Sequence, residues 1–151
     1  MTDGLAGEQN GTKEAEELTE AKKRENVIRL AFGGDANRLD TFVQLIKDFV
    51  PENTGVVLRG SAVTGYRWKD NAPFDSDGPG TSDLDLTLVG HRIIEYYKVT
   101  GFFVPGIHSR PICEGDLHIA PDLLPLRERL MDMVKRPVNI QGTRDFVMYL
   151  R

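Results

Sequence analysis

Apolar positions along this chain keep two rhythms. In "DANRLDTFVQLIKDFVP", Leu39, Phe42, Val43, Ile46, Phe49 and Val50 recur at steps of three and four, the stripe of an amphipathic helix. Asp35 can cap its start, and Pro51 cannot continue it. "DLLPLRERLMDMVKR" repeats the rhythm, with Pro125 in the first turn. "SDLDLTLVG" instead alternates strictly. Leu84, Leu86 and Leu88 face one side and Asp83, Asp85 and Thr87 the other, the signature of a strand packed by one face on a helix layer.

Weaker signals complete the outline. "GVVLRGS" reads as a short buried strand halted by Gly60, with a short helix in "SAVTGYRW". "KDNAPFDSDGPG" is a loop by its prolines and turn formers. "RIIEYYKVTGFFV" fits helix or strand equally, and is most simply core, or an interface where exposed. A short strand is expected at residues 116–120, another in "PVNIQG", and a last helix in "TRDFVMYLR" with Thr143 as its cap. Helices alternating with strands imply an α/β or α+β domain with a small mixed, twisted sheet and flanking helices. Residues 1–24 are charged and poor in large apolar groups, so they read as a mobile arm ahead of a domain at 25–151.

Composition narrows the classes. A length of 151 residues with 40% apolar content suits one globular domain. No apolar run approaches the roughly 20 residues that cross a bilayer. The start lacks the basic-then-apolar order of a signal peptide, and the single cysteine, Cys113, suits a reducing compartment, so a cytoplasmic protein without a membrane partner is expected. A net charge of −4 argues against a protein that coats nucleic acid.

The chemistry gathers between Arg59 and Gly90. Like charges on one strand face are destabilising unless something positive compensates them. Asp83 and Asp85 stand about 7 Å apart, twice the strand rise, a spacing that suits oxygen donors around Mg²⁺ and substrate phosphates. Gly60 lets backbone come close to an anion, and the amide and hydroxyl of Ser61 can bind phosphate oxygens.

A strand ending in Gly-Ser, followed by a strand carrying Asp-x-Asp between leucines, resembles the polymerase-beta-like nucleotidyltransferase superfamily. The likeness is carried by "LRGSAVTG" and "SDLDLTLV" and covers roughly residues 35–90. It implies transfer of a nucleotidyl group from a nucleoside triphosphate to an acceptor hydroxyl. Gly60 and Ser61 would hold the triphosphate and Asp83 and Asp85 the Mg²⁺. A third carboxylate on a later strand would help activate the acceptor. The position matching that carboxylate is Asn139, so Asp116, on the strand expected at 116–120, is the substitute, ahead of Glu114. The gap from Ser61 to Asp83 exceeds the family's usual connection; its excess, "WKDNAPFDSDGPG", is a candidate lid.

Other readings compete. Asp-x-Asp can be a solubility device on an edge strand. "DSDG" suggests a calcium loop, but the twelfth position from Asp75 is Leu86 rather than glutamate. His108, Cys113 and His118 match no common zinc spacing. Arg59, Arg67, Lys69, Arg92 and Arg110 flank the proposed site; Tyr66 and Trp68 could stack on a base or simply pack. The acceptor stays open between a protein, a small molecule and a nucleic acid, with a homo-oligomer as a further means of holding it. The alternative function is a non-catalytic module of the same fold that binds nucleotide, RNA or a partner protein.

Overall fold

The computed structural model describes residues 18–145. They form an α+β fold with one five-stranded mixed sheet in the order β1-β2-β5-β4-β3. The strands are β1 (Gly55–Arg59), β2 (Leu84–Val89), β3 (Phe102–Val104), β4 (His108–Ser109) and β5 (Val138–Thr143). The helices are α1 (Glu20–Ala31), α2 (Ala36–Phe49), α3 (Ser61–Thr64) and α4 (Leu124–Val134). Antiparallel β1 and parallel β5 flank β2, placing the aspartate strand inside the sheet.

The helical stripe behaves as its spacing demands. Asp35 accepts the Asn37 amide at 2.9 Å and caps α2, which buries Leu39, Phe42 and Ile46 before stopping at Pro51. Leu84, Leu86 and Leu88 are almost wholly buried, together with Val138 and Ile140 of β5 and Leu126 and Leu130 of α4. At roughly 1.5–3 kcal/mol for each large side chain removed from water, this one-sided layer is the main stabilising element of the fold. The opposite sheet face carries Arg59, Asp85, Thr87, Asn139 and Gln141 beside Val57 and Val89.

Three expectations are corrected and one open segment is resolved. The arm was expected to run to residue 24, yet α1 begins at Glu20. Thr19 caps it, accepting from the Lys22 amide at 3.0 Å, and buried Val27 and Ala31 anchor the turns that follow. Residues 1–17 lie outside the described residues. No strand forms at 116–120. Ile112 exchanges backbone bonds with Ile140 (2.7 and 3.2 Å), and the chain then leaves the sheet as a 3₁₀ turn over Glu114–Ile119. Thr143 ends β5 rather than capping a helix; of the last helix expected, residues 146–151 lie outside the described residues. The ambiguous segment resolves into 3₁₀ turns at Ile93–Tyr96 and Val99–Gly101, followed by β3. Ile93 and Tyr97 join the core, whereas Phe103 and Val104 stay exposed. No helix among the described residues is long and apolar enough to cross a membrane.

Candidate active site

Strand alternation and register bring the polar groups together. Asp85 is the register partner of Arg59 on β1 and of Asn139 on β5. Asn139 Nδ2 donates to Asp85 Oδ1 at 3.0 Å and to Asp83 Oδ2 at 2.9 Å. One amide nitrogen thus reaches both aspartates, so their side chains converge on one side of the sheet. Asp83 is exposed and Asp85 half-buried. Burial pushes the Asp85 carboxyl above its ordinary value; the Asn139 bond opposes this, Asp83's charge adds to it, and Arg59's charge counters it in part.

The glycine–serine corner lies directly against this pair. Gly60 has φ +82 and ψ −155, a conformation essentially confined to glycine. A β-carbon built on it would come within 2.5 Å of Asp85 Oδ2. Only a residue without a side chain lets backbone and carboxylate approach so closely. Ser61 follows at the first residue of α3, whose return is closed by Gly65 N–H bonding to Ser61 O at 2.7 Å.

The long loop is fastened rather than loose. Arg136 Nη1 and Nη2 donate to Asp75 Oδ1 and Oδ2 at 2.8 and 3.0 Å, and Nη1 also donates to Ser82 O at 2.9 Å. The same guanidinium lies 4.5 Å from the centroid of Phe74. Asp75 accepts from Ser82 N–H at 2.9 Å, while Ser82 Oγ accepts from Asp75 N–H at 2.7 Å. Burial pushes the Asp75 carboxyl up, but Arg136 and the Ser82 and Gly80 amides outweigh it and hold it at about 2. This bracket fixes Ser82, and with it the entry of Asp83 into β2. Further out, Arg67 pairs with Asp70 and Asp77, and Trp68 projects 98% exposed. Trp68 is therefore not core packing. Arg136 carried no signal in the sequence: an arginine before a proline looks like any surface residue.

No family model matches the chain, nor does any curated protein or solved structure.

Of the sequence-predicted site residues, Gly60, Ser61, Asp83 and Asp85 are brought to one corner. Asp116 is not on a strand. It sits in the 3₁₀ turn after β4, where Arg110 Nη1 donates to it at 2.9 Å and Cys113 Sγ lies 3.9 Å away. Glu114 likewise pairs with buried Arg127, at 3.2 Å. Among the described residues no group of three or more His, Cys, Asp or Glu side chains is arranged to hold a metal ion. The donors at the corner are thus two carboxylates. That set fits Mg²⁺, which usually keeps several waters and takes one or two carboxylates plus substrate phosphates rather than an all-protein cage.

Further along the polar face, Gln141 donates to Ser109 O at 2.7 Å and approaches His108 Nε2 at 3.1 Å. Burial, with help from Arg59's charge, holds His108 below the usual imidazole range. Arg59 thus acts electrostatically on both Asp85 and His108.

Proposed function

We propose that the protein is a metal-dependent nucleotidyltransferase, moving a nucleotidyl group from a nucleoside triphosphate to an acceptor hydroxyl with pyrophosphate leaving. The observation that carries this reading is the approach of Gly60 to Asp85, which makes the phosphate-binding corner and the carboxylate pair a single site. Asp83 and Asp85 would hold Mg²⁺. When bound, the metal supplies charge neutralisation for the transferring phosphoryl oxygens and the pyrophosphate. Gly60 lets the polyphosphate lie close to the backbone, and the Ser61 amide and hydroxyl donate to its oxygens. Arg59 adds positive charge beside Asp85. The acceptor is a hydroxyl on a protein, small molecule or nucleic acid. The single cysteine, Cys113, favours the cytoplasm as the protein's setting.

Asn139 favours a second reading. An amide cannot take the acceptor's proton, and Asp116 is paired with Arg110, so the described residues offer no carboxylate base at the third position. A non-catalytic module that binds a metal–triphosphate complex accommodates that feature. Thermal unfolding with Mg²⁺ and each nucleoside triphosphate, followed by a pyrophosphate assay, separates the two. Stabilisation with pyrophosphate release supports transfer, and stabilisation alone supports the module. Absence of both stabilisation and release sinks both readings.

A further inference from the structure

Asn139 stands where a third carboxylate would complete a cation cage, and its amide engages both members of the pair. A primary amide nitrogen carries two hydrogens and offers no lone pair to a metal. One N–H therefore goes to each carboxylate, and the nitrogen sits across the approach to Asp83 Oδ2 and Asp85 Oδ1. For a cation to use those two oxygens, the amide must turn its own oxygen inward or withdraw. The alternative carboxylates are ion-paired, Asp116 with Arg110 and Glu114 with Arg127.

We infer that Asn139 makes divalent-cation binding here conditional on the polyphosphate: the bare protein takes up metal weakly, and the metal is held jointly with a triphosphate. This rests on the two-carboxylate site proposed above. With two carboxylates the protein leaves most of an octahedral shell to water and phosphate, so phosphate oxygens decide the affinity. A third carboxylate would shift that balance to the protein. Asn139 is then a specificity-determining residue, selecting the metal–nucleotide complex over free metal.

The test is Mn²⁺ binding to the full chain, followed by water-proton relaxation and electron paramagnetic resonance. It is run with and without α,β-methylene adenosine triphosphate and its guanosine, cytidine and uridine counterparts. Wild type is expected to bind Mn²⁺ alone weakly and to tighten at least about tenfold with a triphosphate analogue, within the range by which a change around a metal site alters affinity. Asn139→Asp is expected to tighten Mn²⁺ alone by a similar factor and to shrink the analogue's effect. Asn139→Ala, which removes the bridging amide without adding a ligand, is expected to bind Mn²⁺ alone no more weakly than wild type; weaker binding would mean that Asn139 only holds the pair in place and would overturn the inference. Wild type binding Mn²⁺ equally well with and without analogue, or Asn139→Asp behaving as wild type, also overturns it while the active-site reading stands. Absence of Mn²⁺ binding in every protein, even with the analogues, overturns both.

Discussion

Replacing Gly60 by alanine tests the juxtaposition on which the site depends. Two penalties should add. The first is conformational: φ +82 with ψ −155 is a region where a residue with a side chain is strained by about 1–3 kcal/mol. The second is steric. The new β-carbon would lie 2.5 Å from Asp85 Oδ2, so the carboxylate must move, disturbing its 3.0 Å bond from Asn139. A hydrogen bond to a charged group contributes about 1.5–3 kcal/mol, bringing the total to roughly 2.5–6 kcal/mol. Gly65→Ala is the internal control: φ is +92 but nothing lies within 4 Å of a β-carbon, so it should lose only about 1 kcal/mol. Urea unfolding at pH 7 without divalent cations gives each value. The decisive comparison repeats Gly60→Ala in an Asp85→Ala background, where the obstructing oxygen is gone and only the conformational penalty should remain. An equal loss in both backgrounds would refute the contact between glycine and carboxylate.

Three further outcomes follow from the same geometry. Asp83→Ala removes an exposed side chain that also repels Asp85, so stability should move by less than about 1 kcal/mol while pyrophosphate release disappears; retained release counts against the metal role. Asp85 has its folded pKa raised above the ordinary carboxyl value of 3.8, so the fold prefers its protonated form, and stability falls as pH rises from 3.8 through the folded value. Asp85→Asn should therefore be at least as stable as wild type at pH 7 without metal, with a flatter urea midpoint across that window; a clear loss at pH 7 argues against it. Asp75 has the opposite sign. Its pKa of about 2 against 3.8 contributes stability that is present above 3.8 and is lost as pH falls toward 2. The shift corresponds to about 2.5 kcal/mol, or about 1–2 once solvent at the carboxylate rim is allowed for. Arg136→Met should lose at least that much at pH 7 and flatten the acid limb of a urea-midpoint titration; an unchanged midpoint disproves the bracket.

What could be read in advance was local. The α2 stripe, its Asp35 cap and the β2 alternation are set by residues within a turn or two of each other, so spacing alone reveals them. The convergence of Gly60 on Asp85 also followed, because strand-end glycine and alternating aspartate belong to consecutive strands. The misses are mostly non-local. β4 is two residues long and exists only because β5 and β3 flank it. Asp116 looked like a strand residue because Leu117 and Ile119 alternate with it, but the slot beside β5 was already filled by Ile112. Arg136 and Asp75 are 61 residues apart, and no periodicity links them. The start of α1 inside the expected arm depends on a cap at Thr19 and on packing of Val27 and Ala31, with Asn26 Nδ2 donating to Val63 O at 2.8 Å.

The position of β2 in the sheet removes the edge-strand explanation for its charges. A solubility device belongs on an edge, where inward or exposed charge discourages another strand from pairing. β2 has a strand on either side, with β1 and β3 forming the edges, so its backbone groups are already committed and need no such protection. Charge on an interior strand is unfavourable to folding, more so for Asp85, which is half-buried beside Asp83. The chain keeps that arrangement and surrounds it with specific support: an amide that bonds both carboxylates, an arginine in register on β1, and a glycine whose lack of a side chain leaves room for Asp85. Each of these could be replaced by apolar residues in a merely structural strand. A ligand that brings positive charge to the carboxylates and negative charge to the backbone, as the proposed metal–triphosphate complex does, would account for their coincidence at the Gly60–Ser61 corner.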